Sequence, residues 1–317
     1  MLDSTRGIFT GENDPSVQTQ EINAEVASGN MKMELTPTGF KIVGNGTHEN
    51  HSGGKYMYMA IRRSNKPPTA GTDVYQALNY NGTSGDITRP TNILVDLLFT
   101  QRTNGGNPYA VNRLTSATKY IGFEGAAQEG QQTTGFKEFG NNYIKMGNGP
   151  VANSNNNYLL SLFKRAPGFM DVVTYTGKSN TAGLNVNHNL GVVPELVFFK
   201  RRDGTKNWYT YSSVTGTGKI LYLNTSLAAV SNSSFIATTP TSTELTVNSY
   251  SDIFNQDSTY VAYLFATLPG ISKVGSYTGT GNAINVPCGF TNGARFIPVS
   301  YTHLRAHETR HDLVCRL

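Results

Sequence analysis

The chain has 317 residues, 38% of them hydrophobic and 15% charged, and its 26 Lys and Arg against 21 Asp and Glu leave a formal net charge of +5. That length suits two or three ordinary domains with ample apolar burial, which excludes an intrinsically disordered chain. The longest apolar runs, 94–99 and 260–266, fall far short of the ~18 residues a membrane helix needs, and Met1-Leu2-Asp3-Ser4-Thr5-Arg6 lacks the apolar core of a signal peptide, so neither membrane insertion nor a targeting segment is expected.

The basic residues fall in short clusters, Arg62-Arg63, Lys164-Arg165 and Lys200-Arg201-Arg202. They form no continuous stripe, so no nucleic-acid partner is expected. Cys288 and Cys315 give neither a disulfide framework nor a metal-binding CxxC pair. Low charge together with abundant Gly, Asn, Ser and Thr favours many short strands joined by turns over a helical bundle.

In chain order the dominant signal is a repeat. Tyr56-Met57-Tyr58-Met59-Ala60-Ile61-Arg62-Arg63 aligns with Tyr158-Leu159-Leu160-Ser161-Leu162-Phe163-Lys164-Arg165, and both align with Tyr260-Val261-Ala262-Tyr263-Leu264-Phe265. From Tyr56 to Tyr158, and again from Tyr158 to Tyr260, the step is 102 residues. The same step carries Tyr175-Thr176-Gly177 onto Tyr277-Thr278-Gly279. The alignment divides the chain into five parts: 1–64, the C-terminal part of a truncated repeat; 65–165, a second repeat; 166–267, a third; 268–298, the start of a truncated fourth; and 299–317, a non-native tail.

Within the third repeat, short apolar runs predict strands over 172–175, 196–200, 208–211, 220–224, 244–247 and 260–265, with turns at 177–180, 203–204, 215–218 and 255–258. Pro194 and Pro90 are expected at strand starts. With no helical period long enough for a crossover, the expected fold is all-β: tandem antiparallel β-sandwich repeats of jelly-roll or Ig-like type. Residues 81–107 depart most from the pattern, which leaves the first strands of the second repeat undefined by sequence.

The motifs Asp3-Ser4-Thr5-Arg6-Gly7, Arg113-Leu114-Thr115-Ser116-Ala117-Thr118-Lys119-Tyr120, Phe163-Lys164-Arg165-Ala166-Pro167-Gly168-Phe169, His188-Asn189-Leu190-Gly191-Val192-Val193-Pro194 and Cys288-Gly289-Phe290-Thr291-Asn292-Gly293-Ala294-Arg295-Phe296 resemble a family of tandem repeats of about a hundred residues, a domain of unknown function in bacteriophage tail and tail-fibre-like structural proteins. The resemblance covers residues 1 to about 297. It implies a virion location in the tail, other phage structural subunits as partners and a homo-oligomer such as the trimer of a fibre. It supplies no catalytic residues and no cofactor.

Residues 299–317 resemble translated sequencing adapter and hold three of the six histidines. His307-Glu308-Thr309-Arg310-His311 matches the H-E-x-x-H pattern, in which two His on one helical face share a zinc and the Glu activates water. Only six residues follow His311 and no third ligand presents itself, so a metal site at His307, Glu308 and His311 is set aside, and with it the hydrolase reading. No enzyme is expected.

Gly216-Thr217-Gly218-Lys219-Ile220 lacks the Ser or Thr of a phosphate loop and reads as a hairpin turn. Asp171, Glu195, Asp203, Glu244, Asp252 and Asp257 suggest no carboxylate pair for glycoside hydrolysis. His188 sits in a turn without an evident nucleophile. One place gathers aromatic and basic residues: Arg201 and Arg202, then Trp208, Tyr209 and Tyr211. Exposed, these would contact a host surface glycan or a partner subunit, the reading of a carbohydrate-binding adhesin or lectin-like module. Alternatively, strand alternation buries Trp208 and Thr210 on one side and shows Tyr209 and Tyr211 on the other, or the reverse, and the buried rings serve packing.

Overall fold

A computed structural model describes residues 32–36, 39–44, 50–61, 65–149, 151–152, 154–178, 183–236, 238–248 and 257–299. The described residues form antiparallel sheets, and their one helical element is the 3-10 turn Gly71–Asp73. A hairpin of β1 (Met33–Thr36) and β2 (Gly39–Ile42) comes first. A complete strand set follows: β3 (Tyr75–Asn81), β4 (Ile87–Pro90), β5 (Leu97–Arg102), β6 (Tyr109–Asn112), β7 (Lys119–Gly122), β8 (Gly130–Gln131), β9 (Phe136–Phe139), β10 (Tyr143–Met146) and β11 (Asn157–Phe163). The second set is β12 (Met170–Thr176), β13 (Leu184–Asn187), β14 (Leu196–Arg201), β15 (Tyr209–Ser212), β16 (Lys219–Tyr222), β17 (Val230–Ser231), β18 (Glu244–Val247) and β19 (Thr259–Phe265).

The two sets share one topology. The larger sheets run β3-β11-β5-β6-β7-β8 and β12-β19-β14-β15-β16-β17, with the last long strand of each set inserted beside the first. The smaller sheets are β4-β10-β9 and β13-β18. The step between equivalent strands grows along the repeat, from 95 residues (Tyr75 to Met170) through 99 (Leu97 to Leu196) and 100 (Tyr109 to Tyr209) to 102 (Asn157 to Thr259). The insertions sit in connections, where a few extra residues cost little. A small bridge repeats with the strands, as Ala166↔Met170 and Leu268↔Ser272.

Each set buries an apolar layer between its two sheets. Leu98, Val111, Tyr158, Leu160 and Leu162 of the larger sheet meet Phe136, Phe139, Ile144 and Met146 of the smaller one. In the second set Val173, Val197, Phe199, Ala262 and Leu264 meet Val186, Leu245 and Val247, and Phe235 and Ile236 fill the core where the first set has β9. These are sandwiches, as the alternation along the strands requires, and each fully buried large side chain contributes about 1.5–3 kcal/mol.

The third-repeat strands match the sequence expectation within one or two residues. The strands missed are β13 and β17, too short and polar to register. In the divergent second repeat, β3, β4 and β5 take the places that sequence left undefined. Pro90 ends β4 rather than starting a strand, opposite Tyr143 on an edge strand where its missing N–H spares the ladder. Pro194 does precede β14. The turn at 215–218 is a β15-β16 connection, with Gly216 and Gly218 at φ 78° and 71°.

The chain forms two compact units. Unit 1 comprises Met1–Asn65, Ala77–Tyr120 and Gly130–Phe163; unit 2 comprises Lys66–Gln76, Ile121–Glu129 and Lys164–Leu317. The cut at 163 and 164 lies close to the repeat boundary. The assignment of Ile121–Glu129 to unit 2 is not visible in the repeat pattern, and its cause is chemical.

Candidate functional site

Unit 2 concentrates its buried polar chemistry on the face of the larger sheet opposite the core. Alternation sends Val197 and Phe199 of β14 and Tyr209 and Tyr211 of β15 into the core. It therefore turns Phe198, Lys200, Trp208 and Thr210 the other way. Over that second face lies the segment Ile121–Glu129 of the same unit.

Trp208 is 0% exposed. Its indole stacks on Phe123 at a centroid distance of 4.8 Å and 22°, and Tyr263 approaches it at 6.0 Å. The indole N–H donates to the Gly122 carbonyl at 2.7 Å. The Trp208 backbone N–H donates to Asn224 Oδ1 at 2.9 Å, and Asn224 Nδ2 donates to Asn207 Oδ1 at 3.1 Å. The ring is thus both packed and anchored, as a buried Trp requires.

Lys200 is also 0% exposed, and its ammonium donates to the carbonyls of Ala126, at 2.9 Å, and Lys206. Burial pushes its pKa down to about 8. Arg202 grips Glu129 with both carboxylate oxygens, Nε to Oε2 at 2.8 Å and Nη2 to Oε1 at 2.9 Å, while the Glu129 backbone N–H donates to the Arg202 carbonyl at 2.8 Å. This fork geometry is the strongest form of Arg–carboxylate contact. Arg201 Nε donates to Asp203 Oδ1 at 2.7 Å, and Asp203 Oδ2 accepts the Thr259 N–H at 2.8 Å, closing the β14-β15 turn against β19.

Of the five residues singled out for glycan or partner contact, four are therefore buried: Arg202, Trp208, Tyr209 and Tyr211. Arg201 is half-buried. The rings are buried on both faces of the strand, where alternation alone would leave one face exposed. Sequence gave no warning that Gly122, Phe123, Ala126 and Glu129 complete this cluster, since three of the contacts use main-chain atoms that carry no residue signature.

Two further carboxylates, Asp171 and Glu195, hold backbone. Asp171 accepts the N–H groups of Val172 and Asn189 at 2.9 and 2.7 Å, and Glu195 accepts the Thr267 N–H at 3.0 Å. His188 Nδ1 accepts the Leu190 N–H at 3.3 Å while Nε2 faces the Thr241 carbonyl at 3.2 Å, and burial lowers its pKa. In unit 1, Arg113 donates to the carbonyls of Val95, Phe139 and Gly140 at 2.9, 2.7 and 2.9 Å, pinning the sheets together. A cavity of about 330 Å³ there is lined by Leu78, Asn79, Tyr80, Arg89 and Pro90, with the Arg89 guanidinium 5.3 Å from the Tyr80 ring centroid. Among the described residues no cluster of three or more His, Cys, Asp or Glu could hold a metal ion. His307, Glu308, His311 and Asp252 lie outside the described residues.

A family model described as "Domain of unknown function (DUF7483)" matches residues 1–64 and 79–297. No curated protein matches the chain. Among solved structures, a chain titled "Crystal Structure of the STIV MCP" is similar at 10% identity over 61% of this chain and 85% of that one, with a TM-score of 0.19. So low a score carries no argument about fold or function.

Proposed function

The chain belongs to the DUF7483 family, a domain of unknown function, and from that premise we propose that it is a non-enzymatic structural protein of a virion, a tail or tail-fibre component built of repeated β-sandwich modules. The observation that carries the structural part is the recurrence of one topology, β3-β11-β5-β6-β7-β8 and then β12-β19-β14-β15-β16-β17. A repeated module sets length and spacing, and its connections offer surface to neighbouring subunits or to a host envelope. The buried charged groups support the same reading, because Lys200, Arg202 and Arg113 bind main chain or a partner carboxylate within their own unit. The virion and the tail come from the motif resemblance set out above.

The experiment is immunogold electron microscopy of phage particles whose genome carries this gene, with antibody raised against the purified chain. Gold on the tail or its fibres is the expected result. Gold on the capsid shell would keep the structural role and refute the tail assignment. Purified particles without label, with the antigen left in the lysate, would sink the virion reading.

A further inference from the structure

We propose that unit 1 holds a small-ligand site, a cavity between β3 and β4 in which Arg89 takes the carboxylate of a compact acid, either a free sugar acid or the acidic end of a glycan. This does not depend on the virion reading.

The cavity, of about 330 Å³, is lined by Leu78, Asn79 and Tyr80 of β3 and by Arg89 and Pro90 of β4, all within unit 1. β3 is an edge strand of the larger sheet and β4 of the smaller one, so the cavity sits along the margin of the sandwich. Arg89 belongs to the core-facing side of β4. In the β4-β10 ladder it stands opposite Ile144, as Ile87 stands opposite Met146, and residues paired across a ladder share a face. Ile144 and Met146 are both fully buried. In unit 2 the corresponding pair is Val186 opposite Leu245, and Val186 joins the apolar core. One repeat thus fills this position with a valine, and the other with an arginine beside a cavity.

This guanidinium is not matched as the other buried arginines are. Arg113 donates to three carbonyls and Arg202 grips Glu129. Arg89 Nε is buried, and among the described residues it meets no acceptor. The guanidinium carbon lies 5.3 Å from the Tyr80 ring centroid, within cation–π range. The Tyr80 hydroxyl is engaged elsewhere, donating to the Ala152 carbonyl and lying 3.1 Å from Met146 Sδ, and burial raises its pKa, so it supplies no anion. Asp86, the carboxylate nearest in sequence, holds Lys137 at 2.7 and 2.9 Å.

A charge turned inward without a counter-charge costs stability, and an apolar residue such as the valine of unit 2 avoids that cost. Local departures of this kind are expected at functional positions. A ligand carboxylate removes the cost, because its two oxygens accept from the guanidinium fork at once. Arg89 is the one charged residue lining the cavity, which matches the single charge of a carboxylate better than the near-double charge of a phosphate monoester. Leu78, Pro90 and the Tyr80 ring give the body of the ligand apolar walls. The volume lies at the small end for ligand pockets, which suits one compact acid rather than an extended chain.

The test is calorimetric titration of the full chain with D-glucuronate, with D-glucose as its neutral counterpart, and with cellobiuronate, which carries glucuronate at the end of a disaccharide. Glucuronate is expected to bind and glucose not to. Equal or weaker binding of cellobiuronate assigns the site to a free acid, and tighter binding assigns it to a glycan end. Arg89→Val, which installs the residue of the equivalent position in unit 2, is expected to weaken binding about ten- to hundredfold while leaving the urea midpoint unchanged or raised. Asn79→Trp, at an exposed position lining the cavity, is expected to block binding with Arg89 still in place. A wild-type chain that binds neither acid overturns the proposal, and so does glucose binding as tightly as glucuronate, or glucuronate binding that Arg89→Val leaves unchanged. Should Arg89→Val prove destabilised, as removal of a structural arginine would be, Asn79→Trp decides: glucuronate binding that survives it overturns the proposal.

Discussion

The two complete strand sets share a topology and differ in what lies on the outer face of the larger sheet. In the second set that face carries Lys200, Arg202 and Trp208, all buried under Ile121–Glu129. In the first set the equivalent positions, by steps of 99 and 100, are Gln101, Thr103 and Pro108, and none of them is buried. The backbone alone therefore does not require the aromatic and charged cluster. The cluster accompanies the covering segment, since charges so placed are tolerable only when every donor finds an acceptor. Without Gly122, Ala126 and Glu129, an indole N–H and a guanidinium would lose these partners and the Lys200 ammonium would keep only the Lys206 carbonyl of its two acceptors.

Trp208→Ala breaks the comparison most severely. Loss of the ring leaves a cavity beside Phe123 and Tyr263, and the expected cost is about 3–5 kcal/mol, read by urea unfolding followed by circular dichroism. Pro108→Ala, at the equivalent place in the first set, is expected to change stability by less than about 0.5 kcal/mol. Equal losses in the two variants would show that the covering segment adds nothing to the burial of Trp208.

The ion pair comes next. Arg202→Ala leaves Glu129 as a buried carboxylate without its fork, at an expected cost of about 3 kcal/mol or more, and Glu129→Ala should cost a similar amount. Replacing both together, Arg202→Met with Glu129→Leu, should recover most of the loss, as Thr103 in the first set already shows that the strand tolerates an uncharged residue there. A double replacement as damaging as the singles would mean that the charges hold the segment by more than mutual compensation.

Lys200 gives this face a pH signature. Its folded pKa of about 8 lies below the ~10.4 of an unfolded lysine, so between those values the unfolded chain binds more protons and stability rises with pH. The rise is bounded at about 3 kcal/mol, at about 1.4 kcal/mol per pKa unit. Above pH ~10 the sign reverses, because burial raises the pKa of Tyr175 and Tyr211 and the unfolded tyrosines lose their protons first. Unfolding free energies of wild type and Lys200→Met across pH 7 to 11 test this; the variant should lose the rise and keep the fall.

How far the sequence discloses this arrangement depends on the kind of signal. Strands such as β14 and β19 are legible as short apolar runs rich in Val, Phe, Leu and Tyr between two bounding turns, and the repeat step is legible because Tyr56, Tyr158 and Tyr260 sit at equal intervals. β13 and β17 are not legible: Leu184-Asn185-Val186-Asn187 is half polar, and β17 has only two residues. The aromatic and basic character around Trp208 is plain in sequence, but its burial is not. The residues that bury it lie some eighty positions earlier and act through carbonyl groups at Gly122 and Ala126.

The smallest effect separates the two sets at one backbone position. The turn after β15 places Gly216 at φ 78°, and the turn after β6 places Ser116, a step of 100 earlier, at φ 93°. Left-handed backbone costs a residue bearing a Cβ roughly 1–2 kcal/mol, whereas glycine adopts it freely. Ser116 recovers a little by lying 3.1 Å from the Thr118 hydroxyl. Ser116→Gly is therefore expected to stabilise unit 1 by about 0.5–1 kcal/mol, after the greater chain entropy of glycine is subtracted. Gly216→Ser should destabilise unit 2 by about 1 kcal/mol through backbone strain alone, because a Cβ built there meets no atom within 4 Å. Opposite signs in urea unfolding of the two variants would show that the turns are equivalent in conformation and unequal only in the residue that fills them. A destabilising Ser116→Gly would mean that the serine hydroxyl, rather than the backbone, decides the turn in the first set.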